Sequence, residues 1–348
     1  MKARPLSDYE RPAVFFVNAV GDQLISLPTV RALASLFPGG IQLLLGEGMS
    51  SFLYRGVAVR ESPIRVSWLD FDEKSIDVDR VAPRTEPCDL FLCLSTFASA
   101  SLLELARRMG ARWTVGWFDI FDQTIPFDPA KHWFDLYFRF PKQFRSELCF
   151  DDFSSPPILS SAATRAAELF VRKHGALGSR ILFVHPETKP EKMWDPVALS
   201  WVLEQFLEAH PEFTVFTTSV KPYPIDLGRH SHRAVWVDEH LELAFAILSH
   251  ADLFLGIDSC FLHAADLLRI PGVALFGATE ASDPNQWGFR LSPDTRLVSG
   301  EKSLDKIRRE DVLAALSEVA LKTSVKPRSP ALCGPFLPLP GTGAMESP

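Results

Sequence analysis

Apolar runs and amphipathic stretches alternate along the chain. Residues 13–22, AVFFVNAVGD, read as a buried strand ending in Gly-Asp, and 24–38, LISLPTVRALASLFP, as a helix closed by Pro38-Gly39-Gly40. IQLLLGEG (41–48) and CDLFLCLST (88–96) are further apolar runs with small or polar ends. A helix is predicted over 99–111 and a strand over 113–117. Residues 117–155 lose the alternation. They are rich in Phe, Trp, Asp and Pro and predict loops and short helices.

After FDDFSSPPILSS (150–161), the best linker by its Ser and Pro content, the alternation restarts. Helices are predicted over 164–175, 195–211, 241–251, 260–269 and 309–322, with Asp195 as N-cap and Pro196 in the first turn of the second. Strands are predicted over 180–188, 213–219, 252–259 and 272–279. Strands separated by helices imply parallel βαβ units. The expected class is therefore α/β: one unit over 1–155, a second over 156–322, and a Pro-rich tail over 323–348 that is expected to be disordered. No short-period repeat is visible.

Composition narrows the function classes. A net charge of −7 argues against a general nucleic-acid binder. The five cysteines show no CxxC spacing, which argues against zinc and fits a reducing compartment. The N-terminal apolar stretch is short and interrupted by Asn18, so no signal peptide is expected. No run is long enough for a transmembrane helix. A soluble cytoplasmic protein is the expectation, with peripheral membrane association left open. GxGxxG, Walker, GxSxG and HExxH sequences are absent, against dinucleotide oxidoreductases, P-loop kinases, α/β-hydrolases and zincins.

Open parallel sheets bind ligands at the carboxyl ends of their strands, so three strand ends carry the candidate chemistry. Gly21 allows a close approach, and Asp22 is either a helix N-cap or a general base facing the cleft. In HPETKPEKMW (185–194), His185, Glu187, Thr188, Lys189 and Lys192 crowd a loop before a helix. Lysine and hydroxyl groups there suit a phosphate; a solvated loop is the plain alternative, and His185 equally reads as a core histidine. In FLGIDSCFLHAADLLRIPGVALFGATE (254–280), the helix start at Ser259–Cys260 offers an anion site. Asp258 would bind sugar hydroxyls or cap that helix, and His263, about one turn in, would bond a ligand or fix Asp258.

Taken together, VGDQLISLPTVRAL, HPETKPEKMW and GIDSCFLHAADLLRIPGVALFGAT resemble the ADP-heptose:lipopolysaccharide heptosyltransferases, glycosyltransferase family nine. That family's pattern is a strand, Gly-Asp and an LPALRAL-like helix, then HPGA…K.W, then NDSG..H.AAALG.P.VALFGPT. The resemblance covers about residues 13–288. It implies a GT-B fold, two Rossmann-like domains facing across a cleft, and an inverting, metal-independent transfer with no cofactor. The donor would be a nucleotide sugar, ADP-heptose or a related one. The acceptor would be a lipopolysaccharide core, another glycan, a protein or a small natural product. The implied general base is Asp22. The implied donor contacts are Thr188, Lys192, Asp258, Ser259, Cys260, His263, Gly277, Ala278 and Thr279. Gly21, Trp117 and Trp133 are expected on the acceptor side, with Trp113 and Phe134 as further aromatics of that region, for which core packing is the competing role. Two positions depart from the family pattern: Cys260 stands where glycine is usual, and Glu187 where a small residue is usual. A non-catalytic nucleotide-sugar-binding relative is the alternative they favour. A GT-B-like epimerase or phosphorylase shares the fold but not this motif set.

Overall fold

A computed structural model describes residues 6–47, 51–64, 66–68, 74–174, 176, 178–187, 193–220, 223–277, 283–292, 295–300 and 303–323. In chain order the first unit contains β1 (Pro12–Phe16), α1 (Val20–Leu36), β2 (Ile41–Gly46), β3 (Val59–Ile64), the hairpin strands β4 (Val66–Trp68) and β5 (Lys74–Ile76), α2 (Val78–Val81), β6 (Leu90–Cys93), α3 (Ala100–Arg108), β7 (Trp113–Gly116), β8 (Gln123–Thr124), α4 (Trp133–Tyr137) and α5 (Arg139–Lys142). The second contains α6 (Ser161–Lys173), β9 (Arg180–His185), α7 (Pro196–Ala209), β10 (Phe213–Thr217), β11 (Ala234–Trp236), α8 (Leu241–Leu248), β12 (Leu253–Ile257), α9 (Cys260–Leu267), β13 (Gly272–Gly277), α10 (Pro284–Trp287), β14 (Arg296–Gly300) and α11 (Arg309–Lys322).

Each unit is built on one six-stranded sheet, in the orders β3-β2-β1-β6-β7-β8 and β11-β10-β9-β12-β13-β14. Every pair in both sheets is parallel. Within each unit the order is that of the dinucleotide-binding fold, reversing at β1/β6 and β9/β12. The central strands are buried along their whole length because helices cover both sheet faces. That is why PAVFF and LFLGI are unbroken apolar runs.

The two sheets share a detail. β6 and β12 are both preceded by Asp and continue as Leu-Phe-Leu: DLFL at 89–92 and at 252–255. Asp89 accepts hydrogen bonds from the Glu10 and Arg11 amides at 3.0 Å each. Asp252 accepts one from the Ile181 amide at 2.8 Å. Each buried carboxylate thus closes the amino end of its sheet against the first strand.

The predicted helix over 309–322 is found as such, and Asp195 caps α7 by accepting from Val197 and Ala198. Strands β3, β11 and β14 and helix α10 were not foreseen. The segment at 150–161 is tied down on both sides. Arg31 of α1 donates to the carbonyls of Phe153, Ser155 and Pro156. Arg55 and the Ser160 amide both bond Glu242 of α8, at 2.6 and 2.7 Å.

Candidate active site

Helices α1 and α9, which follow the central strands β1 and β12 of the two sheets, pack against each other. The sequence placed Gly21-Asp22 at the end of a strand. The strand instead stops at Phe16 and the helix begins at Val20, so both residues lie in the first turn of α1. Ala19 is the N-cap, and Asp22 reaches back to it: its Oδ2 accepts the Ala19 amide at 3.2 Å. The capping role therefore exists, exercised from the third helical position rather than from the cap. Asp22 keeps partial exposure.

Gly21 faces the other unit. A Cβ built on it would stand 3.2 Å from His263 Cδ2 and 3.6 Å from the Cys260 Cα and N. The glycine lets the first turns of α1 and α9 abut. At this position the close approach is between the two units.

Ser259 is the N-cap of α9 in an extended conformation (φ −158°) and makes no side-chain cap bond. Its buried Oγ has no hydrogen-bond partner among the described residues. Burial pushes the Cys260 thiol up to about 12, against the pull of the Cys260 and Phe261 amides. A neutral thiol therefore sits beside the two N–H groups that an anion at this helix start would use. His263 is buried, its Nε2 3.7 Å from Asp258 Oδ1 and its ring 6.2 Å from that of Trp287 on α10. Asp266, one turn further, accepts the amides of Arg290, Leu291 and Ser292. This fixes α9 to the segment after α10.

His185 is a core histidine. Its Nδ1 donates to the Thr218 carbonyl at 2.9 Å, its ring lies 4.4 Å from Phe261, and burial lowers its pKa to about 4. Glu187 turns aside: its Oε2 accepts the Val220 amide at 2.5 Å. Gly277 ends β13 against the Ser303–Leu304 backbone, where a Cβ would meet the Leu304 N at 3.3 Å. Thr188, Lys189, Lys192, Ala278 and Thr279 lie outside the described residues.

The aromatics of 117–144 separate into two kinds. Trp117 is packed edge-on against Trp133, Tyr137 and Phe140, and its Nε1 donates to the Leu94 carbonyl at 2.9 Å. Trp113 and Phe134 are likewise buried. Trp133 reaches the domain junction, its ring 5.1 Å from Trp287. Around it the units are laced together: His132 Nε2 donates to the Gly288 carbonyl at 2.9 Å, and Arg290 makes a two-pronged pair with Asp135 at 2.8 and 3.0 Å. Tyr137, Trp287 and Asp266 were missed from the sequence, where Tyr137 lay within the irregular aromatic stretch 117–155 and Trp287 in a segment that carried no motif.

Solved structures share this architecture. A glycosyltransferase family 9 protein from Veillonella parvula superposes with TM-score 0.71 at 18% identity, over 92% of this chain and 99% of that one. The fold is that of the GT-B glycosyltransferases. Escherichia coli ADP-heptose lipopolysaccharide heptosyltransferase II follows with TM-score 0.63 at 16% identity, over 90% and 99%. E. coli heptosyltransferase WaaC with ADP gives 0.62 at 14%, over 90% and 99%. No family model matches the chain, and neither does any curated protein. Among the described residues, no helix is long and apolar enough to cross a membrane, and no group of three His, Cys, Asp or Glu is gathered to hold a metal.

Proposed function

We propose that this GT-B chain is a glycosyltransferase that moves a sugar from a nucleotide-diphosphate donor to an acceptor hydroxyl, inverting the anomeric centre without a metal. The observation that carries the reading is the abutment of the two helix starts, which brings Gly21, the neighbour of Asp22 in the first turn of α1, against Cys260 and His263 of the other unit. Asp22 takes the proton of the acceptor hydroxyl as its oxygen attacks the anomeric carbon, and the nucleoside diphosphate departs. The α9 start, with the Ser259 hydroxyl, and Lys192 stabilise the leaving charge in place of a metal. His263 holds Asp258 toward the sugar. ADP-heptose is the donor we favour, since it fits the motif set and is the donor named for the similar heptosyltransferases. The cytoplasm, where nucleotide sugars are held, is the compartment this reading requires.

Asp22→Asn tests it. The shape and the bond to Ala19 are kept, so fold and donor affinity should persist, while turnover with ADP-sugars falls by about 10²–10⁴. Full turnover in this variant would leave Asp22 a helix residue only. A second reading, a nucleotide-sugar-binding protein without turnover, draws on the Cys260 thiol at the α9 amides. It predicts donor binding in calorimetry with no transfer to any acceptor in a broad panel.

A further inference from the structure

The second sheet ends in a short open edge. β11 is three residues long, pairs with β10, and lies at the outside of its sheet. Edge strands are ordinarily covered, because their unpaired side invites another chain. Here the last residue of the edge, Trp236, stands 41% exposed, a large apolar ring partly in water.

A cavity lies beside it. It measures about 230 Å³ and is lined by Thr217, Tyr223, Ile225, Leu227, Ala234 and Trp236. The Tyr223 hydroxyl donates to the Trp194 carbonyl at 2.7 Å, which pins its ring. Small-molecule pockets run to roughly 300–1,000 Å³, so this hollow is small for a nucleotide sugar and suits side chains of a peptide. Two aromatic rings on an apolar hollow are the surface on which a polyproline helix docks. Such a ligand is extended before it binds and loses little entropy, and its free carbonyls can accept from an indole N–H.

The chain carries a segment of that kind. Residues 335–340 read Pro-Phe-Leu-Pro-Leu-Pro, a PxxP sequence with Phe336, Leu337 and Leu339 as large apolar side chains. A second PxxP sequence, residues 327–330, has only Arg328 and Ser329 between its prolines. Both lie outside the described residues. The last described residue, Thr323, follows α11 and is held: its carbonyl accepts from Arg180 at 3.1 Å, and that guanidinium lies 4.3 Å over the ring of Phe213, where β10 starts. Thr217, at the other end of β10, borders the cavity. Four strand steps separate the two ends, ~13 Å.

The faces agree as well. Phe213 and Val215 share one core with Val319 and Ala320 of α11 and with Leu227 of the cavity. Thr217 follows in the same alternation, so the cavity and the end of α11 lie on one face of the sheet. The twelve residues 324–335 would span up to ~37 Å at about 3.1 Å per residue. The second PxxP sequence therefore reaches the cavity without crossing the sheet.

We propose that residues 335–340 dock in cis on the cavity between Tyr223 and Trp236, as a polyproline strap that covers the β11 edge. The apolar side chains of the segment fill the hollow, and the Trp236 indole donates to its backbone. A tether of this length supplies a local concentration of about millimolar, so a weak contact is enough to close the strap. The inference is independent of the transferase reading.

The experiment uses the full chain with the photo-crosslinking residue p-benzoylphenylalanine in place of Ser231, which also lines the cavity. Cross-linked peptides are mapped by mass spectrometry over a range of protein concentrations. We expect intramolecular links to residues 333–341, with a yield independent of concentration. Phe336→Ser combined with Leu339→Ser leaves every described contact in place and should cut that yield at least fivefold. Trp236→Ala should do the same, with its melting temperature measured alongside; where that variant fails to fold, the paired tail variant decides. No link to the tail, links centred on residues 327–330, or a yield unchanged in the paired tail variant would each overturn the strap. Links that grow with protein concentration would assign the cavity to a second copy and overturn it equally.

Discussion

Replacing Gly21 by alanine tests whether the two units meet as described. The added Cβ would sit 3.2 Å from His263 Cδ2, closer than carbon atoms ordinarily pack, and 3.6 Å from the backbone of Cys260. His263 has little room to yield: it is 3% exposed, with Asp258 on one side and Trp287 on the other. Overpacking of this size costs about 1–3 kcal/mol. Alanine returns about 0.5–1 kcal/mol of helix preference, an upper bound in a first turn. The balance is a loss of roughly 0–2.5 kcal/mol from the sum of these two effects. It falls on the contact between units rather than on either sheet. If nucleotide binding needs that contact, affinity should drop by up to about sixtyfold, the equivalent of about 2.5 kcal/mol. Urea unfolding and calorimetry with ADP read the two quantities. His263→Ala in the Gly21→Ala background should recover the packing part of the loss, and a double-mutant cycle isolates it. A Gly21→Ala protein that gains the full helix increment and binds ADP as the wild type does would show that the two helix starts do not touch.

Buried His185 should make the protein acid-sensitive: its folded pKa of about 4 lies below the ordinary 6.5, so the unfolded chain binds the extra proton and stability falls as pH drops from about 6.5 to 4. The loss from this residue is on the order of 3 kcal/mol, and His185→Asn, which can still donate to Thr218, should flatten that limb of a melting-temperature profile. Glu242 acts lower on the scale. Burial would raise it, but hydrogen bonds from Arg55 and Ser160 outweigh that and hold it below the ordinary 4.5, so its contribution is complete above that pH and is lost as pH falls through the lowered value. Glu242→Gln should therefore lower stability at neutral pH and leave a shallower slope below pH 4.5 in acid titrations monitored by circular dichroism. Cys260, with its thiol near 12, should react with iodoacetamide at pH 8 far more slowly than exposed Cys149, and Cys260→Gly should hold or improve ADP affinity; fast alkylation, or a tenfold loss of affinity, would contradict its placement at the α9 amides.

The central strands were legible because both faces are covered, which forces unbroken apolar sequence such as PAVFF and LFLGI. The edges were not. β3 is VRESPI, with charges and a proline on its exposed positions, and such a strand carries no pattern to read. Among the site residues, Asp22, Ser259 and Cys260 could be named because helix starts have a local signature. The partner of Gly21 could not. Its need for a missing side chain is set by His263, far along the chain, and only the fold brings the two together. The same holds for Trp133. Its indole could be listed as aromatic, but whether it was satisfied, as Trp117 is by Leu94, depends on packing between units.

The two sheets are copies of one plan, and the comparison separates structural acids from those of the cleft. Asp89 and Asp252 occupy matching places as the first residues of DLFL, at the amino ends of β6 and β12, and each bonds the backbone at the amino end of the adjacent first strand. That is a role any βαβ sheet can use, and the pseudo-symmetry is kept there. At the carboxyl ends it is broken. Asp22 sits three residues into α1, whereas Asp258 precedes the cap of α9 and leaves the helix start to Ser259 and Cys260. A pair of identical units would present two acids or two anion sites to the cleft, and so could not offer a base on one side and a diphosphate site on the other. The asymmetry gives one acid on a helix in the first unit and one open hydroxyl at a helix start in the second. On the proposed reading, that is the division a transfer between two substrates requires: the base comes with the acceptor side, and the dipole comes with the donor.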